Sequence, residues 1–384
     1  MINSSSVIYL NSDALRNNLD FLRQTLPGDV RISSVVKGNA YGHGIAQFVP
    51  LAESCGINHF SVFSAEEAYA VWQASAKGST LMIMGDIHEE DLPWAIENDI
   101  EFFVFEHSRV DKALDIARKM GRKAKIHIEL ETGMNRTGFD KKGLTRLLKT
   151  LSGRESDYSL EGICTHFAGA ESVANYVRVK NQISVYNKLV KWLSNKGFNP
   201  TYRHAACSAA AITYPNTCFD MVRIGILQYG FWPSRETFIQ YLSKKELAGR
   251  QDPLQRVISW ESQVMSVKDV ACGEFIGYGT SFLAQHDIRV ATVPVGYSLG
   301  YSRVLSNQGR ALINGTRVGV IGVVNMNMMM LDVTEVDVEP GDKVCLIGGG
   351  NGLEISVASF GELSNQLNYE LLTRLPERIP RLIK

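Results

Sequence analysis

Val35-Val36-Lys37-Gly38-Asn39-Ala40-Tyr41-Gly42-His43-Gly44 decides how the rest of the chain is read. An apolar β-branched pair runs into a lysine, and glycines and aromatic rings crowd the residues after it. That is the pattern of a buried strand that ends at Lys37 and opens into a tight loop. A lysine at the mouth of an apolar strand is partly desolvated, which lowers its pKa and frees the amine to form a Schiff base or to act as a base. A lone lysine in a strand-to-helix turn is ordinarily only solvated, so the sequence on either side has to decide.

Outward from this stretch, short β-rich runs alternate with amphipathic segments. Val7–Leu10, Arg31–Val36, His59–Phe63, Thr80–Met84, Glu101–Phe105, Lys125–Glu131, Ser159–His166, Thr201–His204 and Met221–Ile224 read as strands, and helices are expected between them. Ser12 or Asp13 starts the first helix, and Ser64-Ala65-Glu66-Glu67 is a capping box. Roughly eight βα units in ~220 residues predict a (β/α)8 TIM-type barrel with its site at the C-terminal strand ends. The competing open, doubly wound sheet lacks a G-x-G-x-x-G after the first strand. Past Gly230-Phe231-Trp232-Pro233 helical periodicity mostly stops. Strands are expected at Val257–Val270, Val290–Val295, Ala311–Ile313, Arg317–Ile321, Met328–Val333 and Lys343–Ile347, with Asn314-Gly315 as a two-residue hairpin. The expected division is a barrel over 1–240 and a mainly β domain over 241–384, with the charged stretch Ser243-Lys244-Lys245-Glu246 at the boundary.

Length and composition agree with two domains and a small-molecule partner. The chain has 384 residues and a formal net charge of zero, so nothing marks it for nucleic acid or an acidic membrane. Its six cysteines are scattered without C-x-x-C pairs, which suits reduced thiols rather than a metal site. No signal peptide is evident at the N-terminus, and no apolar run approaches the ~20 residues of a membrane span, so a cytoplasmic location is expected.

Val35–Gly44 resembles the cofactor-lysine segment of the alanine racemase family, and further matches follow in family order. Lys125–Gly138 (KIHIELETGMNRTG) resembles the family strand ending in D-T-G-M-x-R-x-G; Thr165–Glu171 resembles T-H-F-A-x-A-D; His204–Ala210 resembles H-A-A-N-S-A-A; Val222–Gly230 resembles V-R-x-G-I-x-x-Y-G. In the C-terminal part, Gly277-Tyr278-Gly279 resembles G-Y-G, Gly296–Arg303 resembles G-Y-A-D-G-x-x-R, Gly322–Asn327 resembles G-R-V-C/S-M-D, Tyr369-Glu370 resembles Y-E, and Arg378–Arg381 matches R-x-P-R.

The resemblance implies pyridoxal phosphate as cofactor, a head-to-tail homodimer and a two-base racemisation. Lys37 would hold the cofactor covalently and act as one base, with Tyr278 of the other subunit as the second. Two bases are needed because racemisation takes a proton from one face of Cα and returns one to the other. A tyrosine's ordinary pKa of ~10 then has to be tuned by cationic or hydrogen-bonding neighbours on the His166–Arg223 side. Tyr41, Ser208, Tyr369 and the Gly225 and Ile226 N–H groups would take the phosphate, the last two at a helix start, and His204 would pack beside the ring. Arg136 would contact the cofactor's phenolic oxygen and the substrate carboxylate, Met326 would offer that carboxylate an N–H, and Tyr297 would narrow the entrance. Arg223 would face the pyridine nitrogen; an arginine does not give up its proton, so that nitrogen stays an acceptor and the ring a weaker electron sink.

Departures from the family pattern at Leu299, which replaces aspartate, Asn325 and Asn327 keep serine or broad specificity as the alternative to alanine; Cys207, which replaces asparagine, and Val323 also differ. Decarboxylases that use a similar barrel are disfavoured by Arg223, and a mere cofactor-storage protein by the presence of both Lys37 and Tyr278. Glu131 stands for aspartate. Glu129 stands where the family often has a lysine that is carbamylated, and is expected to be an ionised substitute whose pKa Arg136 lowers. Strand alternation puts Glu129 on one face with His127 and Glu131 without deciding whether that face is buried.

Overall fold

The computed structural model describes residues 4–76, 78–244, 251–350, 352–357 and 368–384. Lys245 and Glu246, part of the expected boundary stretch, lie outside them. The chain divides into two compact units, one made of Leu15–Lys37 and Val49–Gln255, the other of the described parts of Met1–Ala14, Gly38–Phe48 and Arg256–Lys384.

The first strand, β1 (Ser6–Leu10), belongs to the second unit. The first unit is built on eight strands: β2 (Arg31–Val35), β3 (His59–Ser64), β4 (Thr80–Asp86), β5 (Glu101–Val104), β6 (Ala124–Glu129), β7 (Tyr158–Cys164), β8 (Tyr202–His204) and β9 (Met221–Ile224). They form one parallel sheet in the order β8-β7-β6-β5-β4-β3-β2-β9, and the helices of the βα units lie between them in sequence. The ends of the sheet are drawn together by Asp220 N–H donating to Arg203 C=O (3.1 Å) and Arg223 N–H to Ala206 C=O (2.9 Å), so the barrel is nearly closed. Every residue of β5 and β9 is buried, as strands covered on both faces must be. Met82, Phe103, Cys164 and Met221 pack together as part of its core.

The second unit is a mainly antiparallel sheet. Its remaining strands are β10 (Ile258–Gln263), β11 (Ser266–Val270), β12 (Ile288–Val293), β13 (Arg310–Ile313), β14 (Thr316–Ile321), β15 (Met329–Asp332), β16 (Lys343–Gly350), β17 (Leu353–Ile355) and β18 (Arg381–Ile383). Their order is β11-β12-β15-β14-β13-β16-β10-β1-β18, with β17 beside β16. Asn314 and Gly315 have φ of 50° and 76° and join Ile313 to Thr316, the hairpin turn expected from the sequence.

Two strand expectations need correction. β1, counted from the sequence as the barrel's first strand, pairs antiparallel with β10 and parallel with β18. Ile8 and Leu10 are fully buried while Val7 and Tyr9 are half-buried, the one-sided alternation of an antiparallel sheet rather than of a barrel strand. Val257–Val270, expected as one strand, is two. At the break Val264 N–H donates to Asp342 C=O (2.8 Å) and Met265 N–H to Thr292 C=O (2.8 Å), so the backbone passes from one neighbouring strand to another.

Candidate active site

Lys37 follows β2 at the C-terminal end of the barrel. The strand is held from below by the barrel's last turn. Gln228 Nε2 donates to Val35 C=O (3.2 Å), Ser34 Oγ donates to Gln228 Oε1 (2.8 Å), and the Tyr229 hydroxyl donates to Val35 C=O (2.9 Å). Lys37 itself keeps solvent access at the open mouth, yet protein atoms crowd the amine, and the crowding governs its titration. Burial first, then the Arg136 charge, push its pKa below the usual 10.5; Glu67 opposes them and Arg223 adds to them. The amine therefore sits in a crowded, cationic corner that favours its neutral, nucleophilic form.

Arg136 rides on a turn shaped by Glu131. That carboxylate accepts the N–H of Gly133 and of Asn135 (2.9 Å for the latter), and Asn135 takes the left-handed φ of 56°. Glu131 thus caps the turn that delivers the arginine. Glu129 behaves differently from expectation. It is buried, but among the described residues it makes no ion pair with Arg136, and its direct partner is the Thr137 hydroxyl. Burial raises its pKa; the Thr137 hydrogen bond and the Arg136 and Arg223 charges only partly offset that. The expected lowering is overturned because dehydration of a carboxylate outweighs a charge that does not touch it.

Arg223, on β9, is buried and fixed at both terminal nitrogens. One donates to His204 Nδ1 (2.6 Å), the other to the carbonyls of Thr165 (2.8 Å) and Ala205 (3.2 Å). His166 feels burial and the charges of Arg223, Arg136 and Lys37, which push its pKa down to about 3. Of the His166–Arg223 pair expected to tune Tyr278, only the arginine is therefore cationic at neutral pH; His166 is a neutral imidazole.

Ser208, Gly225 and Ile226 meet at the ends of β8 and β9. Gly225 N–H donates to Ser208 Oγ (3.0 Å), which ties the two residues together. Past β9 the chain makes successive turns rather than the expected helix, with Gln228 N–H to Gly225 C=O (3.1 Å) and Tyr229 N–H to Ile226 C=O (3.2 Å). Ile226 N–H has no acceptor among the described residues, although the residue is 2% exposed. A buried donor left over beside a serine hydroxyl fits a phosphate, and a lysine of lowered pKa nearby fits an aldehyde. These observations make the residues of this unit compatible with pyridoxal phosphate.

In the second unit, the residues after Lys37 form one turn of left-handed helix. Gly38, Asn39 and Ala40 have φ of 63°, 51° and 52°, Tyr41 has 52°, and Gly42 N–H donates to Gly38 C=O (2.9 Å). Left-handed backbone costs a non-glycine residue roughly 1–2 kcal/mol, so the turn must be held from outside. Asn39 Oδ1 accepts Ile45 N–H (2.8 Å), His43 Nδ1 bonds Ala40 C=O (3.0 Å), and Arg381 Nη2 donates to Gly42 C=O (3.0 Å). The turn sets the Tyr41 ring 5.9 Å from that of Tyr369. Tyr297 and Met326 also share a place: Tyr297 N–H donates to Asn325 C=O and Ser298 N–H to Met326 C=O, both at 3.0 Å. Tyr278 is 74% exposed between Gly277 and Gly279, whose φ are 72° and 69°. Its loop is anchored by Ile276 in a cluster with Val290, Ile321 and Met330.

Comparison with known proteins gives these placements a family. A model of the alanine racemase N-terminal domain matches residues 10–233, and one of the alanine racemase C-terminal domain matches 257–383. The chain belongs to the alanine racemase family. An alanine racemase of Leptospira interrogans is 34% identical over 380 residues, covering 99% of this chain and 96% of the relative. One of Methanococcus maripaludis is 33% identical over 375 residues, 97% of each. Among solved structures, alanine racemase from Bacillus anthracis with bound L-Ala-P superposes with a TM-score of 0.90 at 31% identity, covering 100% of this chain and 96% of that one. Alanine racemase from D-cycloserine-producing Streptomyces lavendulae gives 0.91 at 27% identity, over 100% and 98%. Membership in the alanine racemase family accounts for the barrel and the mainly β unit, and for the order of the motifs.

Glu101 and His59 are buried polar residues of barrel strands that no motif marks, and His127 is marked only by sharing a strand face with Glu129. The available signal was a polar residue inside an otherwise apolar barrel strand.

Proposed function

We propose that this chain is a pyridoxal phosphate-dependent alanine racemase, an isomerase that interconverts L- and D-alanine in a homodimer with shared sites. The observation that carries the reading is Lys37, crowded by protein atoms under the charges of Arg136 and Arg223, together with the spare Ile226 donor after β9. Pyridoxal phosphate, when bound, supplies an electron sink that acidifies the substrate's Cα–H. The chain's own residues do the rest. Lys37 Nζ holds the cofactor and exchanges a proton at one face of Cα. Tyr278 of the other subunit exchanges one at the opposite face, a role that its exposed, glycine-flanked position supports. Arg136 neutralises the substrate carboxylate, with the Met326 N–H as a second donor. Ser208, Ile226, Tyr41 and Tyr369 take the phosphate, Arg223 keeps a donor on the ring nitrogen, and His204 orients Arg223. Tyr297 and Tyr369 crowd the substrate side chain and favour a methyl group.

The test is a chiral assay of the purified protein with pyridoxal phosphate across the twenty L-amino acids. Alanine should be racemised with the highest kcat/KM. Faster conversion of serine would move the assignment to a serine racemase of the same fold, and no conversion of any amino acid would overturn it.

A further inference from the structure

Four polar side chains from four strands cross the barrel interior in one line: Glu101 on β5, His127 on β6, His204 on β8 and Arg223 on β9. His127 and His204 are fully buried, and Glu101 and Arg223 are 4% and 5% exposed. Glu101 Oε2 lies 2.8 Å from His127 Nε2, His127 Nδ1 lies 2.8 Å from His204 Nε2, and His204 Nδ1 lies 2.6 Å from an Arg223 terminal nitrogen. The ends of the line fix its direction. An arginine can only donate and an ionised carboxylate can only accept. His204 must therefore accept at Nδ1 and carry its proton on Nε2, and His127 must do the same. Reversing either ring would set two donors against each other.

The surroundings hold this arrangement. His59 Nε2 faces Glu101 Oε2 at 3.3 Å as a second donor, and its Nδ1 is bonded to Ser33 Oγ at 2.8 Å. An edge of the His127 ring packs against β7 at Gly162, where an added Cβ would stand 1.9 Å from Nδ1. Only glycine leaves room for the ring there. Burial and then the Arg223 charge keep His204 neutral, while the hydrogen bonds from His127 and His59 outweigh the burial of Glu101 and keep it ionised. The line thus joins one buried cation to one buried anion through two neutral rings. A buried charge without a partner is strongly unfavourable, and Arg223 has no carboxylate in direct contact among the described residues.

We propose that Glu101 is a positioning residue of the racemase site: through His127 and His204 it supplies the anionic end of a hydrogen-bonded line that holds Arg223 in place as a donor. This rests on the reading of Arg223 as the residue that meets the cofactor nitrogen. The rival role, a polar cluster that only stiffens the barrel, would leave Arg223 and its neighbours indifferent to the charge at position 101.

The test is nitrogen NMR of the full chain labelled in its histidines, without added cofactor, followed by pyridoxal phosphate binding. In the wild-type protein His127 and His204 should each carry one proton, on Nε2. Glu101→Gln keeps the shape and an acceptor oxygen but removes the charge. It should shift the resonances of His204, two hydrogen bonds away, together with those of His127, and weaken pyridoxal phosphate binding about tenfold. His204 resonances that superpose on the wild type in a folded Glu101→Gln, or wild-type binding by that variant, would overturn the proposal. If Glu101→Gln does not fold, the wild-type tautomers still decide, since a proton on Nδ1 of either ring breaks the line. A protein with both Nε2 protons that does not racemise alanine would fault the proposed function and leave the line standing.

Discussion

A lysine that holds a cofactor and moves a proton with the same Nζ loses both on truncation. Lys37→Ala should therefore abolish the visible absorbance of lysine-bound cofactor and the racemase activity together, read by spectrum and chiral assay. Retained absorbance would assign the cofactor to another lysine. Glu129 gives a prediction in the pH dependence of stability. Its folded pKa is raised above the ordinary 4.5, so the folded state binds more protons than the unfolded one once the pH exceeds that value. Its contribution to stability thus falls as pH rises from 4.5 toward the folded pKa, and the full penalty is present above it. Glu129→Gln removes the penalty and can keep the Thr137 partner. Its melting temperature should exceed the wild type's at pH 8 and lose that advantage as the pH falls toward 4.5. An advantage that grows on acidification would contradict the direction of the shift.

At the scale of elements, the left-handed turn after Lys37 shows where local reading stops. The glycines and the end of the strand at Lys37 are visible in Val35–Gly44. The left-handed backbone of Asn39, Ala40 and Tyr41 is not, because intrinsic preference runs against it. It is imposed by residues as far away in sequence as Arg381, 339 positions beyond Gly42. Gly42→Ala tests this constraint: its Cβ would stand 1.9 Å from Leu372 C=O at a φ of 79°. The loss of stability should be at least about 3 kcal/mol. Gly28→Ala is the control, since its φ of 54° is also left-handed but nothing lies within 4 Å, and it should lose only about 1 kcal/mol. Denaturant titration separates the two, and equal losses would mean that backbone conformation alone sets the cost. The Glu101–His127–His204 line was illegible for a related reason. Strand alternation marks which residues share a face, but only the barrel's register brings each polar residue of the line to within 3 Å of the next.

At the scale of the molecule, the alternation of strands and helices was enough to expect the barrel, and Asn314-Gly315 enough to place one hairpin in the second sheet. The destination of β1 was not legible: Val-Ile-Tyr-Leu suits either unit, and its partners β10 and β18 lie at the other end of the sequence. The same limit applies to Tyr278, whose loop reads only as a glycine-flanked turn. Sharing of sites between subunits is tested most directly by mixing two inactive variants, Lys37→Ala and Tyr278→Ala, under conditions that exchange subunits. If each site combines Lys37 of one subunit with Tyr278 of the other, half of the dimers are mixed and each has one complete site, so the mixture should recover roughly a quarter of the wild-type activity. Activity that stays at the average of the two variants, while subunit exchange is shown independently, would place both bases in one chain and contradict the shared site.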